Sequence, residues 1–471
     1  MRHYYHHRFL TMHVTVLQCF VSTLSKVKPL RERFTVKKSF NQLFARKVLA
    51  GAIASASVIS MAALPLVAEA QQQSSAIVGS VSNPDGSPAA DANVTIVDLR
   101  SGTTRTARTN ESGNYTARNL SPGGPYEIRV NGVKQTTVQS ISLGKAYQLP
   151  LVAGAGSIEE VIVRGQATTF SVAPGPSANF GIAELESAVA FDRDIKDVFA
   201  MDPRINVEGN NGAVNCTGKS PRFNTTTLDG VRYSDQFGLN DNGYGTATGM
   251  PFPFDAIEQV AVEIAPFDVK YTGFSACNIN AVTKRGGNEW EGSLFYEYTD
   301  EGLRGDEVEG TSFDLEPYEE EFYGFAANGP IIEDKLFVSF AYEKQTFPRF
   351  LAQGFDGSGN GVERPWLSQE EFDRVRNIAQ NTYNYEPGGL PADGAQEGEK
   401  YFARIDWNIT NNHQAAFVYN YYEGFQDRAS DSDNNEFEFG NHFYVKGDES
   451  TTYSLSLNSQ WADNFATDIF V

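Results

Sequence analysis

Three stretches of this chain alternate between apolar and polar side chains, with polar or charged residues at the alternate positions. Leu336, Val338, Phe340 and Tyr342 alternate with Ser339, Ala341 and Glu343; Ala403, Ile405, Trp407 and Ile409 alternate with Arg404, Asp406 and Asn408; Tyr453, Leu455, Leu457 and Trp461 stand against Ser454, Ser456, Asn458 and Gln460. A period of two marks a strand whose two faces meet different surroundings. A soluble sandwich shows the same alternation, so the period alone leaves two architectures open. The connections separate them. With strands near 291–299, 322–329, 336–345, 401–409, 414–423, 451–461 and 465–471, the intervening segments are 300–321, 330–335, 346–400, 410–413, 424–450 and 462–464, alternately long and short. Outer-membrane barrels have short turns at one end and long loops at the other. The reading is a transmembrane antiparallel β-barrel whose first strand runs outward from the periplasm. Tyr296, Tyr298, Tyr342, Tyr419, Tyr421 and Trp461 lie near strand ends, where aromatic girdles form. Seven strands are too few to close such a barrel, and open edges are not tolerated in lipid. Residues 289–471 are therefore expected to be the N-terminal part of a longer barrel.

Composition agrees with a chain built of strands: 33 Phe and 21 Tyr against 5 Met favour pleated surfaces. Near the N-terminus, Arg31, Arg33, Lys37, Lys38, Arg46 and Lys47 precede the apolar run Val48 to Val67 and then Ala68-Glu69-Ala70. That order is a secretory signal peptide cut between Ala70 and Gln71, and the residues before Arg31 read as an upstream extension. A membrane-spanning helix fits less well, because the run is rich in Ala, Ser and Gly and is broken by Pro65. Without residues 1–70 the chain holds 28 Lys and Arg against 57 Asp and Glu, which excludes binding to nucleic acid through phosphates. Cys216 and Cys277 are the cysteines left after export to an oxidising compartment. Only His413 and His442 remain, too few for a zinc triad of His ligands. No enzymatic activity, metal or cofactor is expected.

Between Ala76 and Val152, short strands such as Ile77-Val78-Gly79-Ser80-Val81 and Ala92-Asn93-Val94-Thr95-Ile96-Val97 are separated by turn chemistry at Asn83-Pro84-Asp85-Gly86. This spacing predicts an Ig-like β-sandwich over 71–153. With Thr109-Asn110-Glu111-Ser112-Gly113-Asn114-Tyr115 and Leu120-Ser121-Pro122-Gly123-Gly124-Pro125-Tyr126-Glu127-Ile128, the segment resembles the carboxypeptidase-regulatory-like domain, a non-catalytic, carbohydrate-binding-like fold. A small-residue hinge, Ala153-Gly154-Ala155-Gly156-Ser157, then opens the linker 154–168 and leads into Ile158-Glu159-Glu160-Val161-Ile162-Val163-Arg164-Gly165, which resembles a TonB box. A β-prone segment on a tether is suited to strand addition, with Glu159, Glu160, Val161, Ile162 and Val163 as the TonB contact. The competing reading is a last strand of the sandwich.

Residues 169–288 carry four blocks in order: Arg222-Phe223-Asn224-Thr225-Thr226-Thr227-Leu228-Asp229-Gly230-Val231; Phe237-Gly238-Leu239-Asn240-Asp241-Asn242-Gly243-Tyr244; Asp255-Ala256-Ile257-Glu258-Gln259-Val260 with Ala265-Pro266-Phe267-Asp268-Val269; and Ile279-Asn280-Ala281-Val282-Thr283-Lys284-Arg285-Gly286-Gly287-Asn288. They resemble the plug domain of TonB-dependent receptors of the Oar-like group. The chain departs from that group at Ser275-Ala276-Cys277-Asn278, where Gly-Gly is common. The departure suggests that Cys277 pairs with Cys216 in a disulfide. Within the plug, Leu228-Asp229-Gly230-Val231 reads as strand, turn, strand, and Ile257 to Ile264 as a central strand. The Asn- and Gly-rich runs 206–212 and 238–249 read as loops, and Arg232, Tyr233, Asp235 and Tyr244 are the candidate ligand contacts.

The resemblance implies a mainly β protein: signal peptide, Ig-like sandwich, α+β plug, then the first strands of an incomplete barrel set in outer-membrane lipid of a Gram-negative cell. It further implies binding of an external nutrient, a small molecule, peptide or carbohydrate, and uptake powered by TonB. The rival class is a surface adhesin. Segments 300–321, with ten Asp and Glu against one Arg, and 424–450, with seven against Arg428 and Lys446, make the external end acidic. Such a mouth attracts cationic solutes, or is simply a solvated surface. The tract Asp356-Gly357-Ser358-Gly359-Asn360-Gly361 begins like a calcium loop, but its twelfth position is Leu367.

Overall fold

The computed structural model describes residues 74–154, 177–188, 193–208, 212–235, 240, 243–246, 248–264, 273–305, 307–308, 310–312, 317–430, 435–462 and 465–471. Alternating Val, Ile and Thr side chains between tight turns give β1 (Ser75–Ser82), β2 (Asn93–Asp98), β3 (Thr104–Arg108), β4 (Asn114–Leu120), β5 (Tyr126–Val130), β6 (Val133–Val138), β7 (Ala146–Gln148) and β8 (Leu151–Val152). One sheet runs β4-β1-β7, with β8 also on β1; the other runs β3-β2-β5-β6. Their facing sides bury Ile77, Val94, Ile96 and Ile128. The turn at Asn110 is closed by its own side chain, whose Oδ1 accepts from Ser112 N at 3.0 Å and Asn114 N at 2.9 Å.

The second sheet has the order β13-β12-β15-β14-β9, from β9 (Ser177–Phe180), β12 (Thr225–Leu228), β13 (Val231–Arg232), β14 (Ile257–Ile264) and β15 (Cys277–Thr283). Helices α1 (Ile182–Ser187) and α2 (Ile195–Phe199) pack against its core through Leu185, Ile195, Val198 and Phe199. Asp229 and Gly230, at φ 46° and 82°, make the turn from β12 to β13, the left-handed pair that a two-residue hairpin of this type requires. The strand at Ile257 is internal as expected, with a bulge between Ile257 and Gln259, and both its faces are covered: Val260 and Val262 lie in the domain core, Gln259 and Ala261 against Leu143 of the sandwich. The loop expected at 206–212 begins later than the sequence suggested: Asn206 and Val207 belong to β10 (Ile205–Val207), paired with β11 (Val214–Cys216) through Val207 and Val214. Cys216 and Cys277 are joined by a disulfide, Cα to Cα 6.0 Å, and the turn before Cys277 is held by Ser275 N and Ala276 N, both donating to Phe223 O.

The third sheet is an antiparallel succession of seven strands: β16 (Glu291–Asp300), β19 (Glu319–Ile332), β20 (Leu336–Arg349), β23 (Gly394–Thr410), β24 (His413–Arg428), β25 (Tyr444–Ala462) and β26 (Phe465–Phe470). Short connections at 333–335, 411–412 and 463–464 lie at one end; long ones at 301–318, 350–393 and 429–443 lie at the other. The long connections have structure of their own: β17 (Glu307–Val308) pairs with β18 (Thr311–Ser312), β21 (Gln353–Phe355) pairs with β22 (Val362–Arg364), and α3 spans Gln369–Tyr383. Ser368 caps α3 by accepting from Glu371 N at 3.2 Å, and Phe372 stacks on Phe439 at 4.9 Å, which ties two long connections together. In the calcium-like tract, Glu363 accepts from Gly357 N at 3.1 Å and Gly359 N at 2.6 Å, so a carboxylate closes that loop.

The disulfide closes a loop of 61 residues, and restricting the unfolded chain by that much contributes about 2–4 kcal/mol. Cys216→Ser with Cys277→Ser should lower the thermal midpoint of the purified protein, and in the unreduced parent neither thiol should alkylate after unfolding. Two alkylatable thiols there would contradict the bond.

Candidate functional site

The seven-stranded sheet is built inside out relative to a soluble sheet. Its covered face carries Glu343, Gln345, Lys400, Arg404, Asp406, Asn420 and Ser454, all buried, while Ile405, Trp407, Phe417, Tyr453 and Leu455 on the other face are 40%, 46%, 39%, 65% and 52% exposed. Burying a charge costs several kcal/mol unless it is paired and hydrogen-bonded. Some of the partners stand on the sheet itself, and the others come from the second, plug-like domain.

In the first cluster Lys400 Nζ lies 2.6 Å from Glu343 Oε1 across the register of β20 and β23. The other oxygen of Glu343 accepts from Phe254 N at 3.1 Å and faces Arg193 Nε at 3.5 Å. Arg193 also pairs with Asp255 at 2.6 Å and Glu297 at 3.6 Å, and its guanidinium sits 3.5 Å from the centroid of the Phe295 ring. Burial works against its charge, yet Glu343, Asp255 and Glu297 hold its pKa above the ordinary value. Arg193 adopts φ 49°, a left-handed conformation costing roughly 1–2 kcal/mol in a residue with a Cβ, which these contacts offset.

In the second cluster Arg404 forks onto Asp406 at 2.7 and 2.8 Å and reaches Asp229 of the β12–β13 turn at 3.2 Å. It also donates to Thr283 Oγ1 at 3.0 Å, and Thr283 in turn donates to Asp229 at 2.6 Å. Neutral bonds extend the seam: Asn420 Nδ2 donates to Pro251 O at 2.9 Å, Gln345 Nε2 to Thr248 O at 3.3 Å, and the Tyr422 and Thr248 hydroxyls bond each other. The close approach needs Gly424, where an added Cβ would stand 2.5 Å from Thr248 Oγ1.

Of the four candidate ligand contacts, two face inward. Tyr244 is 2% exposed and donates to Asp194 Oδ1 at 2.7 Å; burial, then the Asp194 charge, pushes its pKa well up. Tyr233 is 6% exposed, bonds Thr452 at 2.6 Å and accepts from Asn420, and burial pushes its pKa up to about 12. Both rings fill the domain core, so they anchor loops and are closed to an external solute. Arg232 and Asp235 are half-exposed; Arg232 donates to Gly273 O at 3.0 Å, and Asp235 accepts from Asn240 N at 2.6 Å. Glu159 to Val163 and the Ala70–Gln71 junction lie outside the described residues. Of the seam residues, Glu343 and Lys400 had no local sequence signature beyond inward parity on a strand, Arg193 lies outside any strand, and Asp255 stood out only as the start of the block 255–260.

Lys400→Met strips Glu343 of its nearest cation and should cost about 3–5 kcal/mol, as for one partner lost from a buried pair. Adding Glu343→Met should restore part of that loss, read as the thermal midpoint in detergent. A double variant less stable than the single one would contradict this reading of the pair.

Residues 76–153 match the carboxypeptidase regulatory-like domain. The TonB-dependent transporter Oar of Myxococcus xanthus is 24% identical over 397 residues, covering 77% of this chain and 35% of that protein. Among solved structures, the outer membrane transporter YddB from Escherichia coli aligns at TM-score 0.42 and 12% identity, over 63% of this chain and 38% of that one. A ferric enterobactin receptor from Pseudomonas aeruginosa aligns at 0.40 and 18%, over 62% and 39%. The chain thus spans about a third of the length of the curated relative it matches. The chain is mainly β and similar to the TonB-dependent transporter Oar, with a match to the carboxypeptidase regulatory-like domain at residues 76–153.

Proposed function

We propose that the complete protein is a TonB-dependent outer-membrane transporter that binds an extracellular nutrient and releases it into the periplasm. The observation that carries this reading is the inverted sheet: an apolar, aromatic face turned outward suits lipid, and the charged face is occupied by a domain able to close a pore. The long connections then face outward from the cell and the short ones face the periplasm. A seam of ion pairs and hydrogen bonds is suited to being parted, because water can replace each contact as it breaks.

TonB contacts Glu159 to Val163 by strand addition, and the pull reaches the plug through β9. Growth of a knockout on a panel of iron, vitamin, sugar and peptide sources identifies a transported nutrient. With it, Val161→Pro, which removes a ladder hydrogen bond, should abolish uptake, and Val161→Thr should leave it nearly unchanged. Unchanged uptake in the proline variant, or lost melting stability of residues 76–152 instead, would remove the segment from the mechanism.

A further inference from the structure

We propose that the N-terminal sandwich is a clamp docked across the seam between plug and sheet, which has to come away before the plug can move. This rests on the transport reading above, but the docking itself is a matter of contacts. On the plug side, Arg100 Nη1 lies 2.9 Å from Glu258 while its other nitrogens hold Asp98 and Pro122 O, and Asn288 N donates to Arg100 O at 2.7 Å. Leu143 N donates to Gln259 Oε1 at 2.5 Å, and the Leu143 side chain packs on Ala261 and Val282. On the sheet side, Arg105 donates to Asn411 O at 2.7 Å and Gln414 Oε1 at 2.6 Å, Asn408 Nδ2 to Thr103 Oγ1 at 2.8 Å, and Asn119 Nδ2 to Asp468 at 2.7 Å.

One domain therefore grips both sides of the seam. Its sheet contacts cluster at the short-turn end, where the solute would leave. The grip is built to release. Apart from the Leu143 patch and the Arg100–Glu258 pair it is made of hydrogen bonds, polar as reversible interdomain contacts are, and both acceptors of Arg105 are neutral. Burial, then the nearby Arg285 charge, brings the Arg105 pKa down to about 10, against the opposing pull of the Asp468 carboxylate. The linker between β8 and β9 joins clamp to plug edge, so a pull applied along it loads both at once.

Ala261→Cys, buried beneath Leu143, reports docking as the rate of maleimide labelling in the full-length protein, and Ala281→Cys, buried within the plug, reports unfolding. In purified protein, Arg100→Ala with Arg105→Ala should speed labelling of Ala261→Cys tenfold or more and leave Ala281→Cys unchanged. No acceleration, or equal acceleration of both thiols, overturns the clamp. In cells, Ala261→Cys should label faster with TonB present than without it. Equal rates overturn release of the clamp if Val161→Pro abolishes uptake. If that variant transports normally, the TonB reading has failed and the purified protein alone decides docking.

Discussion

A sheet that hides charge and displays aromatics dictates most of what surrounds it. Glu343, Lys400, Arg404 and Asp406 sit on the covered face of β20 and β23, and none could stay ionised there without partners. The sheet supplies some of them, Lys400 for Glu343 and Arg404 for Asp406, and the second domain adds Arg193 for Glu343 and Asp229 for Arg404. The outward side leaves Trp407, Phe417, Tyr453 and Leu455 in a continuous apolar band across neighbouring strands, far more than a soluble surface displays without an occupant. A single alternation thus fixes both the domain inside and the solvent outside.

The seam does not owe its strength to area. A buried ion pair is weak evidence for stability, and here Lys400 and Arg193 converge on the two oxygens of one carboxylate, which ties the second domain to the sheet at a defined place. Such contacts hold until one is opened to water. Under the transport reading proposed above, this suits a closure that is tight at rest and yields to force, with the load on a few named side chains.

The seven strands were legible because alternation and turn spacing are local. Their ends were not. The sequence reading stops near Tyr401, whereas β23 begins at Gly394, because Glu397 and Glu399 continue the pleat on the outward face beyond the apolar band. Helix α3 lies within the segment 346–400 that strand spacing marks only as a connection, although Ser368-Gln369-Glu370-Glu371 carries a capping pattern. Tyr233 and Tyr244 looked like binding residues among Asn and Gly, and only tertiary packing shows their rings turned inward. The pairing of Arg193 with Glu343 spans 150 residues, a distance over which sequence periodicity carries no information.

Lipid contact of the sheet's outer face is the claim on which the rest stands. Nitroxide labels at Ile405, Phe417 and Leu455, and at Ala341 and Ser454 on the covered face, can be compared in the full-length protein reconstituted in bilayers by collision with oxygen and with a water-soluble nickel chelate. The first three should collide with oxygen and scarcely with nickel, and the last two with neither. Nickel collisions at Ile405, Phe417 and Leu455 would place that face in water and contradict the account.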